Sequence, residues 1–308
     1  MLERDAALIL RDRRLRAQQG TSVNQTATEP NIALVEPDWL EQHLSDPKLR
    51  IIEIAGIGQD NLAAYTSGHI PGALGWKWKS MLWDDAMRDF PSPDDFGRRC
   101  ASAGIANDTT VVFYGEPMQF GIYAWWVFRY CGHRDVRVLN GSRKRWIGEG
   151  RTMTTDGSPT PPRAEYKPAA RLEHMRILRD QMLHALERDD TVILDARSIE
   201  EYTGKRVGGP GGPDVGAERY GRIPGARHLE YLELLTPDES FKTSGELREV
   251  IAARGAAPEK QVLAYCRLSH RATVIYFVLS ELLGRKNVRV YDGSWTEWGS
   301  MVGVPIER

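Results

Sequence analysis

Cysteine is scarce in this sequence: Cys100, Cys131 and Cys266 are the only three among 308 residues. An odd count leaves at least one thiol unpaired, and the spacing matches no zinc pattern, so neither a disulfide framework nor a metal site is expected. A reactive unpaired thiol points to a reducing, cytoplasmic setting. An excess of either charge is also missing, since 41 Lys and Arg stand against 42 Asp and Glu for a net charge of −1. A general nucleic-acid binder needs a strongly basic face, so that class drops out. No uninterrupted apolar run approaches the ~20 residues of a membrane span, which removes a membrane role. Nor is there a Gly-x-Ser-x-Gly elbow or a Walker-type phosphate loop, so serine-hydrolase and NTPase readings have no support. Residues 1–30 carry a charged start (Arg11-Asp12-Arg13-Arg14) and a Gly20 to Pro30 tether, without the apolar centre of a secretory signal.

What is present centres on Gln261 to Thr273. Val262 to Tyr265 reads as a buried strand, and Ala272 to Leu283 as an apolar helix ending at Gly284. Cys266 therefore falls where a strand ends and a loop enters a helix N-terminus, a place that favours an anion. With Arg267 and Arg271 beside it, its thiol is expected to ionise and act as a nucleophile. A buried cysteine is usually a small hydrophobe. Two cations beside a structural cysteine would serve no packing purpose, however. The loop is Cys-x4-Arg, one residue shorter than the Cys-x5-Arg cradle of cysteine phosphatases. A smaller ring of N–H donors suits a sulfur carried on cysteine better than a phosphate.

The loop resembles that of the rhodanese family of sulfurtransferases, whose six-residue active loop begins with the persulfide-bearing cysteine. Tyr65 to Ala73 resembles that family's N-terminal signature and Val288 to Trp298 its C-terminal one, the likeness covering roughly residues 31–308. The resemblance implies an α/β fold of two tandem domains, each a parallel sheet flanked by helices. It also implies transfer of a sulfane sulfur from thiosulfate or 3-mercaptopyruvate to cyanide or a thiol, without any cofactor or metal. Cys266 would be catalytic, with the loop Arg267, Leu268, Ser269, His270, Arg271 and Ala272 around its persulfide. Arg197 and Arg267 are the candidates for gripping the donor. Arg271 would order the loop, and Asp195 would either orient an arginine or cap the strand end. His270 is a candidate base, though a loop histidine is more often simply exposed. Arg267 and Leu268 replace the small residues that follow the cysteine in 3-mercaptopyruvate enzymes, favouring thiosulfate. Glu201 stands where some thiosulfate enzymes have a second arginine. A non-catalytic persulfide carrier and a cysteine phosphatase are the readings from other classes.

Landmarks recur at near-constant offsets. Ile223-Pro224-Gly225-Ala226 repeats Ile70-Pro71-Gly72-Ala73 at 153, Tyr265-Cys266 answers Tyr114-Gly115 at 151, and Asp292-Gly293-Ser294 answers Asn140-Gly141-Ser142 at 152. Such spacing marks a tandem duplication. The organisation expected is an arm over 1–30, a domain lacking the nucleophile over 31–150, a Thr- and Pro-rich linker over 151–170, and a catalytic domain over 171–308. Leu172 to Leu186 reads as a helix. Gly204 to Tyr220 reads as an inserted surface loop, with a place beside the pocket as one position open to it. The first half has Gly115 in place of Cys266 and a loop without a cation. It is therefore expected to act as a wall over the catalytic loop, with Trp76, Trp78 and Trp83 either forming that wall or belonging to the core.

Overall fold

The computed structural model describes residues 33–56, 58 and 62–308; the arm expected over 1–30 lies outside them. Short runs of Val, Ile, Leu and Tyr, buried on both faces, make the strands of two parallel sheets. The first sheet contains β1 (Leu34–Val35), β2 (Leu49–Ala55), β3 (Leu74–Lys77), β4 (Thr110–Glu116) and β5 (Val136–Leu139). The second contains β6 (Arg176–Ile177), β7 (Thr191–Asp195), β8 (Arg227–His228), β9 (Gln261–Tyr265) and β10 (Val288–Tyr291). Their orders, β1-β5-β4-β2-β3 and β6-β10-β9-β7-β8, are the same topology written twice. All pairings within both are parallel.

The helices, in chain order, are α1 (Pro37–Gln42), α2 (Ala63–Ser67), α3 (Trp78–Leu82), α4 (Pro93–Ser102), α5 (Gln119–Tyr130), α6 (Ser142–Gly148), α7 (Arg179–Ala185), α8 (Ile199–Tyr202), α9 (Ser244–Ala253), α10 (His270–Phe277) and α11 (Ser294–Trp298). In α5 every residue except Arg129 is buried. A helix apolar on all sides must be covered on all sides, and α10 of the other half supplies part of that cover. Trp125 meets Phe277 edge-on at 4.7 Å, and Trp126 meets Tyr276 at 6.3 Å. One continuous apolar core thus runs through both halves.

Two expectations need revision. Leu172 to Leu186 is not one helix. A 3-10 turn over Glu173–Met175 leads into β6, and only Arg179–Ala185 is α-helical. Pairing of Arg176 and Ile177 with Val290 and Tyr291 overrides the local helical pattern. The helix after Cys266 starts earlier, at His270, and widens into a π turn over Val278–Leu282. Within the expected linker, Ala164 N–H donates to the Ala101 carbonyl, and Tyr166 packs edge-on to Phe96 at 5.7 Å, so this segment lies against the first half.

Candidate active site

Cys266 follows β9 directly, and the backbone after it is held from behind by α11. Trp295 N–H donates to the Cys266 carbonyl at 2.9 Å and Thr296 N–H to the Arg267 carbonyl at 3.2 Å. The Cys266 N–H in turn donates to Ser294 Oγ at 3.3 Å. Ser269 adopts φ 72°, left-handed backbone that a residue with a Cβ enters at a cost. It is kept there by its hydroxyl, 2.7 Å from the Asp292 carbonyl and 2.8 Å from Asp292 Oδ1. The Cys266 and Arg267 carbonyls are spent on α11. The N–H groups of Arg267, Leu268, Ser269, His270, Arg271 and Ala272 donate to no acceptor among the described residues. A run of unspent amides at a helix start is an anion-binding concavity.

Cys266 itself is only 1% exposed, at the base of the loop, while Arg267 and Leu268 are partly exposed around it and the Arg271 side chain is 13% exposed. Arg271 makes a two-pronged pair with the fully buried Glu201, at 2.6 and 2.8 Å. Burial alone would lower its pKa. The hydrogen bond to Glu201, together with the nearby Glu201 charge, more than offsets this, and the guanidinium ends above its ordinary value. Glu201, which in the sequence counts against an anionic donor, therefore serves to fix Arg271. Arg267 reaches the other way, donating to the Val215 carbonyl at 3.0 Å. Val215 belongs to the inserted segment 204–220. Its neighbour Gly216 lies so close that a Cβ there would stand 3.0 Å from Arg267 Nη1. The insertion thus borders the loop.

Arg197 is placed differently from the expectation. It is fully enclosed, with Nε and Nη2 on Asp195 at 2.6–3.0 Å and Nη2 also on the Gly221 carbonyl at 2.8 Å. Its plane lies over Trp295 at 4.5 Å, so two of its three nitrogens are committed to structure. Asp195 orients this arginine and also accepts from Tyr265 Oη at 2.5 Å. His270 is not exposed: its ring is caged by Trp78, Phe120 and Tyr123, with centroids 4.5, 4.8 and 4.1 Å away. Burial first, then the nearby guanidinium charges of Arg88, Arg267 and Arg271, holds it well below the usual histidine range and therefore neutral. Of the three tryptophans, Trp78 faces the loop through His270, and Trp83 backs Trp78 edge-on at 4.7 Å. Trp76 packs instead on Phe113 and Phe128, at 6.3 and 6.0 Å, inside the first half. Burial pushes the Cys100 thiol well above its ordinary value and Cys131 up to about 12, so neither is a nucleophile at neutral pH.

The first half keeps the scaffold without the chemistry. Ser142 Oγ accepts from Gly115 N–H at 2.8 Å, as Ser294 does from Cys266. A Cβ at Gly115 would come within 2.9 Å of the Ile54 carbonyl oxygen and 3.1 Å of the Gly121 nitrogen. A cysteine does not fit there without moving backbone. The Met118 N–H, which answers that of Ser269 at an offset of 151, donates to the Glu239 carboxylate at 3.2 Å.

A family model described as a rhodanese-like domain matches the chain twice, over residues 36–149 and 178–301. This chain belongs to the rhodanese family of sulfurtransferases. Among rhodanese relatives, the "Sulfur carrier protein TtuD" of Thermus thermophilus is 41% identical over 279 residues, spanning 89% of this chain and 96% of the relative. A Haloferax volcanii protein named "Putative thiosulfate sulfurtransferase" is 38% identical over 281 residues, with the same 89% and 96% coverage. Of solved structures, a variant of EanB with a cysteine persulfide in a tetrahedral intermediate with ergothioneine superimposes with a TM-score of 0.77. It is 26% identical to this chain and covers 89% of it and 70% of that chain. Among the described residues, no helix is long and apolar enough to cross a membrane. Rhodanese-type signatures flagged Asp292 and Ser294 only as part of a matching stretch, and their hold on the loop is new from the structure. Arg88 and Glu239, both in loops between the repeats' landmarks, carried no sequence signal.

Proposed function

We propose that this rhodanese transfers a sulfane sulfur from thiosulfate to cyanide or a thiol, in a cytoplasmic setting, through a persulfide on Cys266. The observation that carries the reading is the run of six unspent amides, Arg267 to Ala272, beside Cys266. The first half shows the equivalent loop amide in use as a donor, since the Met118 N–H donates to the Glu239 carboxyl group.

In the first step the Cys266 thiolate attacks the outer sulfur of thiosulfate. The sulfur–sulfur bond of the donor breaks, sulfite leaves with its electron pair, and a Cys266 persulfide anion remains. The loop amides face the terminal sulfur as an oxyanion hole faces oxygen. Cyanide then attacks that sulfur, thiocyanate departs, and the thiolate is regenerated, a two-step exchange that needs no external oxidant or reductant. Arg267, half-exposed at the rim, meets the donor's sulfonate, and Arg271, fixed by Glu201, adds to the positive field at the sulfur. Arg197 and Asp195 set the strand end from behind. The neutral His270 needs no role as a base.

The test is thiocyanate formation from thiosulfate and cyanide, run beside 3-mercaptopyruvate. Cys266→Ser should abolish turnover and leave a protein of unchanged fold by circular dichroism. Turnover by that variant equal to the native protein's would overturn the persulfide route. A persulfide that forms on Cys266 without steady-state thiocyanate would make the chain a carrier.

A further inference from the structure

The two halves each send one short loop across to the other. Asp84 to Asp89 of the first half is closed by Asp84 N–H donating to the Asp89 carbonyl at 2.7 Å. Thr236 to Ser240 of the second half is closed by Thr236 N–H on the Ser240 carbonyl at 2.8 Å. Arg88 and Glu239 are 151 positions apart, the offset of Gly115 and Cys266, and both adopt left-handed backbone, φ 48° and 66°. A single left-handed residue at a loop tip costs about 1–2 kcal/mol and survives where its side chain is fixed. Glu239 is fixed on the Met118 N–H of the loop that lacks a nucleophile. Arg88 is fixed on the catalytic half. Its Nη1 lies 3.0 Å from Asp292 Oδ2 and its Nη2 3.3 Å from the Asp292 carbonyl, and its guanidinium lies 4.1 Å over the Trp83 ring.

Asp292 is also the acceptor of the Ser269 hydroxyl, and Ser269 is the residue whose left-handed turn lies in the middle of the amide run. Arg176 completes the group, with Nη2 on Asp292 Oδ2 at 2.7 Å and Nη1 on Asp89 at 2.7 Å. We propose that Arg88 of the first half is a positioning residue for the catalytic loop, acting through Asp292 on Ser269. The carboxylate of Asp292 has two jobs, with Oδ2 shared by Arg88 and Arg176 and Oδ1 holding Ser269. Without Arg88 its carbonyl and Oδ2 each lose a donor, and the carboxylate is free to turn toward Arg176. Ser269 then loses the geometry that keeps the amides beside Cys266 aligned. The nucleophile-free half is therefore more than a wall, because it contributes the charge that sets the register of the other half's loop.

This rests on the sulfurtransferase reading for its kinetic arm only, and a second arm is independent of turnover. Arg88→Gln should lower kcat for thiosulfate by about 10- to 100-fold, the cost of a misplaced reacting group. KM should stay within about twofold, because the donor does not touch Arg88. Arg88→Lys should recover part of kcat. Combined with Ser269→Ala, the loss should be no greater than in the worse single variant, as for two residues on one path. In hydrogen exchange, the amides that hold the loop, Thr273 on the Ser269 carbonyl and Trp295 and Thr296 on the Cys266 and Arg267 carbonyls, should lose protection in Arg88→Gln, while Ile122 on the Met118 carbonyl keeps it. Unchanged exchange at Thr273, Trp295 and Thr296 would overturn the proposal whatever the activity. A raised KM at constant kcat would also overturn it, by making Arg88 a donor-binding group. A native protein without sulfurtransferase activity would remove the functional reading and leave the exchange experiment to decide Arg88.

Discussion

Asp195 and Arg197 stand two positions apart at the end of β7, and neither side chain is exposed. A guanidinium buried with one carboxylate partner is dear to break, because removal of either member strands the other in a low-dielectric interior, at about 3–5 kcal/mol. Arg197→Ala should therefore lower stability by about that amount in urea unfolding. Arg197→Lys should not restore it, since one ammonium cannot span Asp195 and the Gly221 carbonyl together. A variant of native stability with a raised KM for thiosulfate would return Arg197 to the donor-binding role that the sequence suggested. The first half meets the same need by another route. Glu53 at its strand end pairs with Arg143 of α6 at 3.0 Å, and position 143 answers Trp295, the ring on which Arg197 lies. That exchange of partners is why the two halves differ at this strand end. Sequence offsets locate equivalent positions but not which side chain fills a shared space.

At the scale of elements, strand ends and turn signatures were legible, because apolar runs and fixed Gly-Pro spacing express backbone requirements directly. Cys266 and its loop were legible for the same reason. The reach-across loops were not, since Arg88 and Glu239 look like ordinary polar turn residues until the other half is in place. Glu239 illustrates the cost of such a contact. Burial, its first cause, outweighs the Met118 N–H and holds its carboxyl above the ordinary value. A raised folded-state pKa means a contribution that is present below the unfolded value, about 4.3, and lost as pH rises through the folded one. Glu239→Gln keeps an acceptor for Met118 while removing the charge. It should match the native protein at pH 4 and exceed it in stability at pH 8, by urea unfolding at both. The opposite order would show that the carboxylate charge is what the loop holds.

Across the whole molecule, His270 sits where the halves meet, on the catalytic loop yet enclosed by three aromatic rings of the first half. Its folded-state pKa is depressed, so its contribution is intact above the unfolded value of about 6.5. As pH falls from there, the unfolded chain takes up a proton that the folded chain refuses, and stability declines toward the depressed value. Unfolding free energy should therefore drop between pH 7 and pH 5, and His270→Phe should flatten that part of the profile. An unchanged slope in the variant would place the acid sensitivity elsewhere.

On the proposed persulfide route, the near-complete enclosure of Cys266 also limits what can collect the sulfur. A rounded molecular surface pressed against the rim of Arg267, Leu268 and Arg271 would stop short of the sulfur. The recipient must present its attacking atom at the tip of something thin: a linear ion, an extended thiol, or the last residues of a tail.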